Sequence, residues 1–151
     1  MAKTITAERR GWLTIQDVSR RSGLSEPTLR YYEKIGLIEP VDRDDRSGHR
    51  QYAPDLVTAI EALSCLRSTG MSVRDMHAYQ RHLDDETDAA AQLRELFERN
   101  AERVADEIER LQVRLRYLRL KAELWAVREQ GDISNEGRVV DDLTTITTEL
   151  R

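Results

Sequence analysis

Gly23-Leu-Ser-Glu-Pro-Thr-Leu-Arg-Tyr-Tyr-Glu-Lys-Ile-Gly36 reads as a sharp turn running into a capped helix that stops at the second glycine. Gly23 supplies a positive φ, Ser25 is a good N-cap, and Pro27 fits the first helical turn, where its missing N–H has no intrahelical partner to lose. Upstream, Thr14 and Asp17 resemble a capping box, and Ile15 and Val18 give one apolar face, so a short helix is expected to about Ser22. Helix, glycine turn and capped second helix make a helix-turn-helix.

Beyond Gly36, Leu37, Ile38 and Pro40 form an extended exit. Arg43-Asp-Asp-Arg-Ser-Gly-His-Arg-Gln-Tyr52 then reads as a hairpin with its tip at Ser47-Gly48. Pro54 opens a third helix, whose apolar positions are Leu56, Ala59, Ile60, Leu63 and Leu66, and Gly70 stops it. Ser72 with Asp75 caps a fourth helix carrying Val73, Met76 and Tyr79.

From Asp88 to Glu129 there is neither Gly nor Pro. Phe97, Ala101, Val104, Ile108, Leu111, Leu115, Leu118, Ala122 and Trp125 alternate steps of four and three, the signature of a coiled-coil seam. Such a narrow stripe exceeds what the short preceding helices could cover, so a homodimer is expected. With Ala101 and Ile108 at a and Val104 and Leu111 at d, a parallel pair sets Arg114 against Arg119. An antiparallel pair instead matches Glu98 with Arg119 and Glu107 with Arg114, which favours the antiparallel arrangement by about 0.5 kcal/mol per pair. After Gly131 the tail is polar; Val139, Leu143, Ile146 and Leu150 could add one or two amphipathic turns, and disorder or a pocket cover stay open.

The division expected is therefore a flexible lead (1–12), a winged helix-turn-helix (13–83), a dimerisation helix (84–130) and a tail (131–151), mainly α with one small β-hairpin. Charged residues at 34 % and aromatics at 5 % of 151 residues suit long solvated helices around a modest core. The net charge of -4 hides a split: residues 1–83 carry 13 Lys and Arg against 11 Asp and Glu, and residues 84–151 carry 11 against 17. The first half is the side on which a polyanion would be met. No apolar run reaches membrane-spanning length and no leader with an apolar centre stands at the start, so a cytoplasmic protein with no membrane partner is expected.

Arg30, Tyr31, Thr28 and Lys34 offer cations and hydroxyls on the second helix, while Leu29, Tyr32 and Ile35 can face the core. Arginine grips phosphate or reads guanine edges with two bonds, and tyrosine hydroxyls reach phosphates, so Arg30 and Tyr31 lead the candidate contacts to double-stranded DNA. Arg43, Arg46, His49 and Arg50 gather donors around the hairpin tip, with Tyr52 closing that segment. Thr14, Arg20, Ser25, Arg67 and Ser72 extend the footprint.

These stretches, with Gly48-His-Arg-Gln-Tyr52 and Leu66-Arg-Ser-Thr-Gly-Met71, strongly resemble the DNA-binding domain of the MerR family over residues 14–83, and the heptad helix stands where that family's dimerisation helix stands. The resemblance implies a dimer on an inverted repeat within a long promoter spacer, DNA that is bent and untwisted on activation, and RNA polymerase as a promoter partner. The family's metal and redox-cluster sensors carry cysteines at the end of the dimerisation helix and its drug sensors append a ligand domain, features not found here. What remains is Cys65, in a context similar to the branch whose single thiol answers to aldehydes, nitrosative stress or other electrophiles.

At 100° per residue Cys65 falls opposite the stripe of Leu56, Ile60 and Leu63, beside Thr58 and Glu61. Local charges leave a reactive and an inert thiol both open, because Glu61 and the helix C-terminus disfavour a thiolate while Arg67 favours one. His49, His77 and His82 are too scattered to hold a metal, and no cofactor or metal is expected. Nor does a phosphate loop or nucleophile motif suggest an enzyme. Two other readings stay open: an effector-independent repressor or architectural protein, and a sensor of an apolar ligand near Tyr79, Tyr117 and Trp125.

Overall fold

The computed structural model describes residues 11–85 and 89–151. Most of the expected lead therefore lies outside the described residues, as do residues 86–88 of the expected 84–130 segment. The chain forms two compact units, residues 1–96 and 97–151.

In the first unit the capping signals all take effect. Helix α1 spans Ile15–Ser22, with the Thr14 hydroxyl accepting from the Asp17 N–H. It ends at Gly23 (φ 75°), whose N–H donates to Ser19 O at 2.9 Å. Helix α2 spans Glu26–Lys34, capped by Ser25, which accepts from the Thr28 N–H. Strands β1 (Asp42–Arg43) and β2 (Arg50–Gln51) pair antiparallel, with Asp42 opposite Gln51 and Arg43 opposite Arg50. Helix α3 spans Pro54–Ser68, and α4 spans Val73–Asp84 behind its Ser72 cap.

One core joins these elements: Val18 from α1, Leu29 and Tyr32 from α2, Val57, Ile60 and Leu63 from α3, and Met76 from α4, with Leu24, Leu37 and Ile38 from the connections. Two sequence expectations are corrected here. Tyr52, expected at the DNA surface, is 0 % exposed and belongs to this core. It pairs across to Leu13, each backbone N–H donating to the other's carbonyl at 3.0 and 2.8 Å, and that bridge turns the ring inward. On α3 the buried stripe runs through Val57 rather than Ala59, which is exposed, because Val57, Ile60 and Leu63 follow the i, i+3 row from the helix start.

The 42-residue helix α5, Ala89–Gln130, enters the second unit at Phe97, and there it carries two apolar stripes. One is the expected seam. The other, through Tyr117, Leu120 and Leu124, packs on Val139 and Leu143 of a further helix, α6, spanning Ile133–Leu150. Each of those α5 positions follows a seam residue by two, about 200° around the helix, so the stripes stand on opposite sides. The tail is thus neither disordered nor a turn or two, but an 18-residue helix capped by Asp132, with Ile146 also buried. Arg116 with Glu149, Arg128 with Glu136 and Arg138 with Glu123 fasten it along α5.

Candidate nucleic-acid interface

Helix α2 is held from beneath and open above. Leu29 and Tyr32 are buried, which fixes its rotation and leaves Arg30, Tyr31 and Lys34 outward; Tyr31 is 51 % exposed despite its apolar ring. At the N-terminus the Ser25 and Thr28 hydroxyls lie 2.8 Å apart. Arg67 of α3 reaches this corner, its Nη1 donating to Thr28 Oγ1 at 3.4 Å. Between them lies an open cleft of about 400 Å³ lined by Gly23, Leu24, Ser25, Thr28, Ser64, Arg67 and Ser68. An arginine, several hydroxyls and a helix N-terminus are groups suited to phosphate oxygens.

The hairpin is organised by a residue that sequence reading passed over. Asp44 Oδ1 accepts from the backbone N–H of Arg46 at 2.9 Å and of Ser47 at 2.8 Å, and from the Ser47 hydroxyl at 3.2 Å. Its carbonyl takes the Gly48 N–H, and Gly48 adopts φ 70°. Asp before a turn glycine was the available signal. Arg43 donates to the Gly48 carbonyl at 3.0 Å, so it braces the tip, while Arg46 and His49 are exposed.

Arg50 plays a different part from the other arginines. Its Nε donates to Glu33 of α2 at 3.2 Å, with both side chains only 22 % exposed. The hairpin is therefore tied to the outward helix by a half-buried ion pair between residues too far apart along the chain to leave a local pattern. Arg20 pairs with Asp17 on α1, whose carboxyl sits below the ordinary range, first because the Thr14 hydroxyl donates to it and then through Arg20. Ser72 is exposed and caps α4 just after Gly70 (φ 79°), while Met71 between them is buried.

Cys65 is exposed on α3, as helical counting expected. Among the described residues no cluster of three or more His, Cys, Asp and Glu could hold a metal ion, and no helix is long and apolar enough to cross a membrane.

Comparison with known proteins agrees with this geometry. The family model described as MerR HTH family regulatory protein matches residues 13–83. The chain is similar to the HTH-type transcriptional regulator AdhR of Bacillus subtilis, 42 % identical over 67 residues, which span 44 % of this chain and about half (47 %) of that relative. It is 32 % identical over 107 residues to an uncharacterized HTH-type transcriptional regulator of Haemophilus influenzae, covering 71 % of this chain and 76 % of the relative. Among solved structures, HiNmlR, described as a MerR family regulator lacking the sensor domain and bound to promoter DNA, superposes with a TM-score of 0.67 at 27 % identity, over 83 % of this chain and 95 % of that one. On this matched domain, the relatives and the fold, the chain belongs to the MerR family of helix-turn-helix transcriptional regulators.

Proposed function

We propose that the protein binds promoter inverted repeats as a homodimer and adjusts transcription by distorting the promoter spacer before RNA polymerase, within the cytoplasm. The observation that carries this reading is the basic surface of the first unit: Arg30, Tyr31 and Lys34 stand outward on a helix that an ion pair couples to the hairpin. Arg46 and His49 at the tip, with Ser25, Thr28 and Arg67 at the cleft, then track phosphates, while Arg30 carries base readout.

Dimerisation is assigned to the open seam of α5. Ile108, Leu111, Leu115 and Leu118 are each about half exposed or more, alongside Phe97 and Trp125. A row of large apolar side chains left to water in one chain is a surface that a second chain covers. The antiparallel register that matches Glu98 with Arg119 and Glu107 with Arg114 also sets Phe97 against Ala122, Ala101 against Leu118, Val104 against Leu115 and Ile108 against Leu111. Large residues then meet small ones at both ends and medium ones meet in the middle, as close packing requires. Residues 97–151 act as the dimerisation unit in this reading, with α6 stiffening α5 from behind.

Cys65 is the candidate sensor, because an exposed thiol is open to electrophiles. The test is footprinting on the promoter upstream of the protein's own coding sequence, with and without an electrophile, for wild type and Cys65→Ser. Distortion that needs both electrophile and thiol supports the sensor; a footprint indifferent to both leaves an effector-independent regulator; and no footprint on any inverted repeat sinks the DNA reading.

A further inference from the structure

Glu33 is an acid in a place where two electrostatic effects oppose one. It stands in the last turn of α2, its carbonyl taking the Gly36 N–H at 3.1 Å, and there the helix dipole disfavours a carboxylate. It also belongs to the helix whose outward cations are to meet phosphate, and a negative charge on that element repels a polyanion. Arg50 meets an obstacle of its own. The hairpin register sets it directly opposite Arg43, and like charges on opposed strand residues destabilise the pairing. Each strand has two residues, too few to hold the hairpin together unaided.

One contact answers all of these. Arg50 Nε donates to Glu33 Oε2 at 3.2 Å, and with each side chain 22 % exposed the pair is screened less than a surface one. Arg43 turns the other way, to the tip, donating to the Gly48 carbonyl at 3.0 Å. The arginine of one strand thus holds the turn and the arginine of the other holds α2. Arg46 and His49, both exposed, lie between these two anchors in the chain.

We propose that Glu33 is a positioning residue for the hairpin: through Arg50 it fixes where Arg46 and His49 meet the duplex, so an acid on the DNA-binding helix strengthens binding. Arg50 then acts from behind and does not grip phosphate. This rests on the DNA reading of α2 and the hairpin. Charge alone predicts the opposite, since removing the carboxylate would lessen repulsion and free Arg50 for a phosphate of its own.

The test measures fluorescence anisotropy of the full chain on a duplex of its own upstream promoter, for Glu33→Gln, Arg50→Met, Arg46→Ala and their pairwise combinations, and follows amide exchange in the free proteins. Glu33→Gln is expected to bind about tenfold more weakly, as befits one charge-assisted hydrogen bond. Arg50→Met should then add no more than about threefold, and Arg46→Ala should lose most of its effect once Glu33 is Gln. The Asp44 and Gly48 amides, which close the hairpin turn, should exchange about tenfold faster in Glu33→Gln while those of α1 keep their protection. Exchanging the charges, Glu33→Arg with Arg50→Glu, should bring affinity back to within about threefold of wild type. Wild-type or tighter binding by Glu33→Gln, independent losses from Glu33→Gln and Arg46→Ala, or wild-type exchange in the hairpin would overturn the inference while leaving DNA binding intact. Loss of protection throughout α1 would overturn it too, by making Glu33 a support of the whole domain. Failure of the wild-type protein to bind the duplex overturns instead the reading on which it rests, and the inference with it.

Discussion

Replacing Leu118 by alanine separates the two faces of α5. Leu118 is 63 % exposed in the single chain, so its side chain holds roughly 100 Å² of apolar surface, which the proposed dimer would cover. Allowing for what alanine still buries, the loss is about 1.5 kcal/mol per site at about 25 cal/mol per Å². The substitution occurs twice in a dimer, so association weakens by about 3 kcal/mol, on the order of 100-fold in Kd. Sedimentation equilibrium across a concentration series, with thiols kept reduced, reads that change directly. The control is Leu124→Ala, 5 % exposed and packed on Val139 and Leu143, which should lower the melting temperature of the helical hairpin and leave the dimer constant nearly unchanged. A dimer constant for Leu118→Ala within about threefold of wild type, or a larger effect from Leu124→Ala, would refute the assignment of the seam.

Further outcomes are expected. Arg46→Ala should weaken duplex binding for all sequences alike and reduce the salt slope by about one, whereas Arg30→Ala should relax sequence preference, both measured by titration at several salt concentrations. Leu143→Ala, on the α6 face against α5, should destabilise the protein by about 2 kcal/mol in urea unfolding. Gly23→Ala meets no atom within 4 Å yet must hold φ +75°, so its cost is strain alone, about 1 kcal/mol, visible as a lower melting temperature. Because Asp17 is depressed in the folded state, its contribution is present above the unfolded value of 3.8 and lost as pH falls through the folded one. Thr14→Ala removes the largest cause and should flatten stability against pH on the acid side of that value, followed by thermal melts.

What the sequence disclosed and what it hid divide along physical lines. Thr14, Ser25 and Ser72 act within three residues of themselves, so the starts of α1, α2 and α4 were legible one by one. The exposure of Cys65 followed from counting 100° steps. Tyr52 misled because it closes a basic segment that looks solvated, and only its bridge to Leu13, set by tertiary pairing, turns it inward. The Glu33–Arg50 pair joins residues 17 apart and leaves no periodic trace. The second stripe of α5 was legible in principle, since Tyr117, Leu120 and Leu124 keep the same spacing as the seam. With that stripe found, Val139, Leu143 and Ile146 would have read as its partner rather than as a loose tail.

The bridge between Leu13 and Tyr52 also bears on the order in which this domain assembles. Caps and glycine turns close loops of a few residues and can form at once, but the bridge joins positions 39 apart and must wait for α1 and α2 to bring its ends together. Folding of the first unit should then run from the helical pair to the hairpin, with the hairpin the last part stitched in. Substitutions at Leu13 would then speed unfolding while leaving the folding rate nearly untouched.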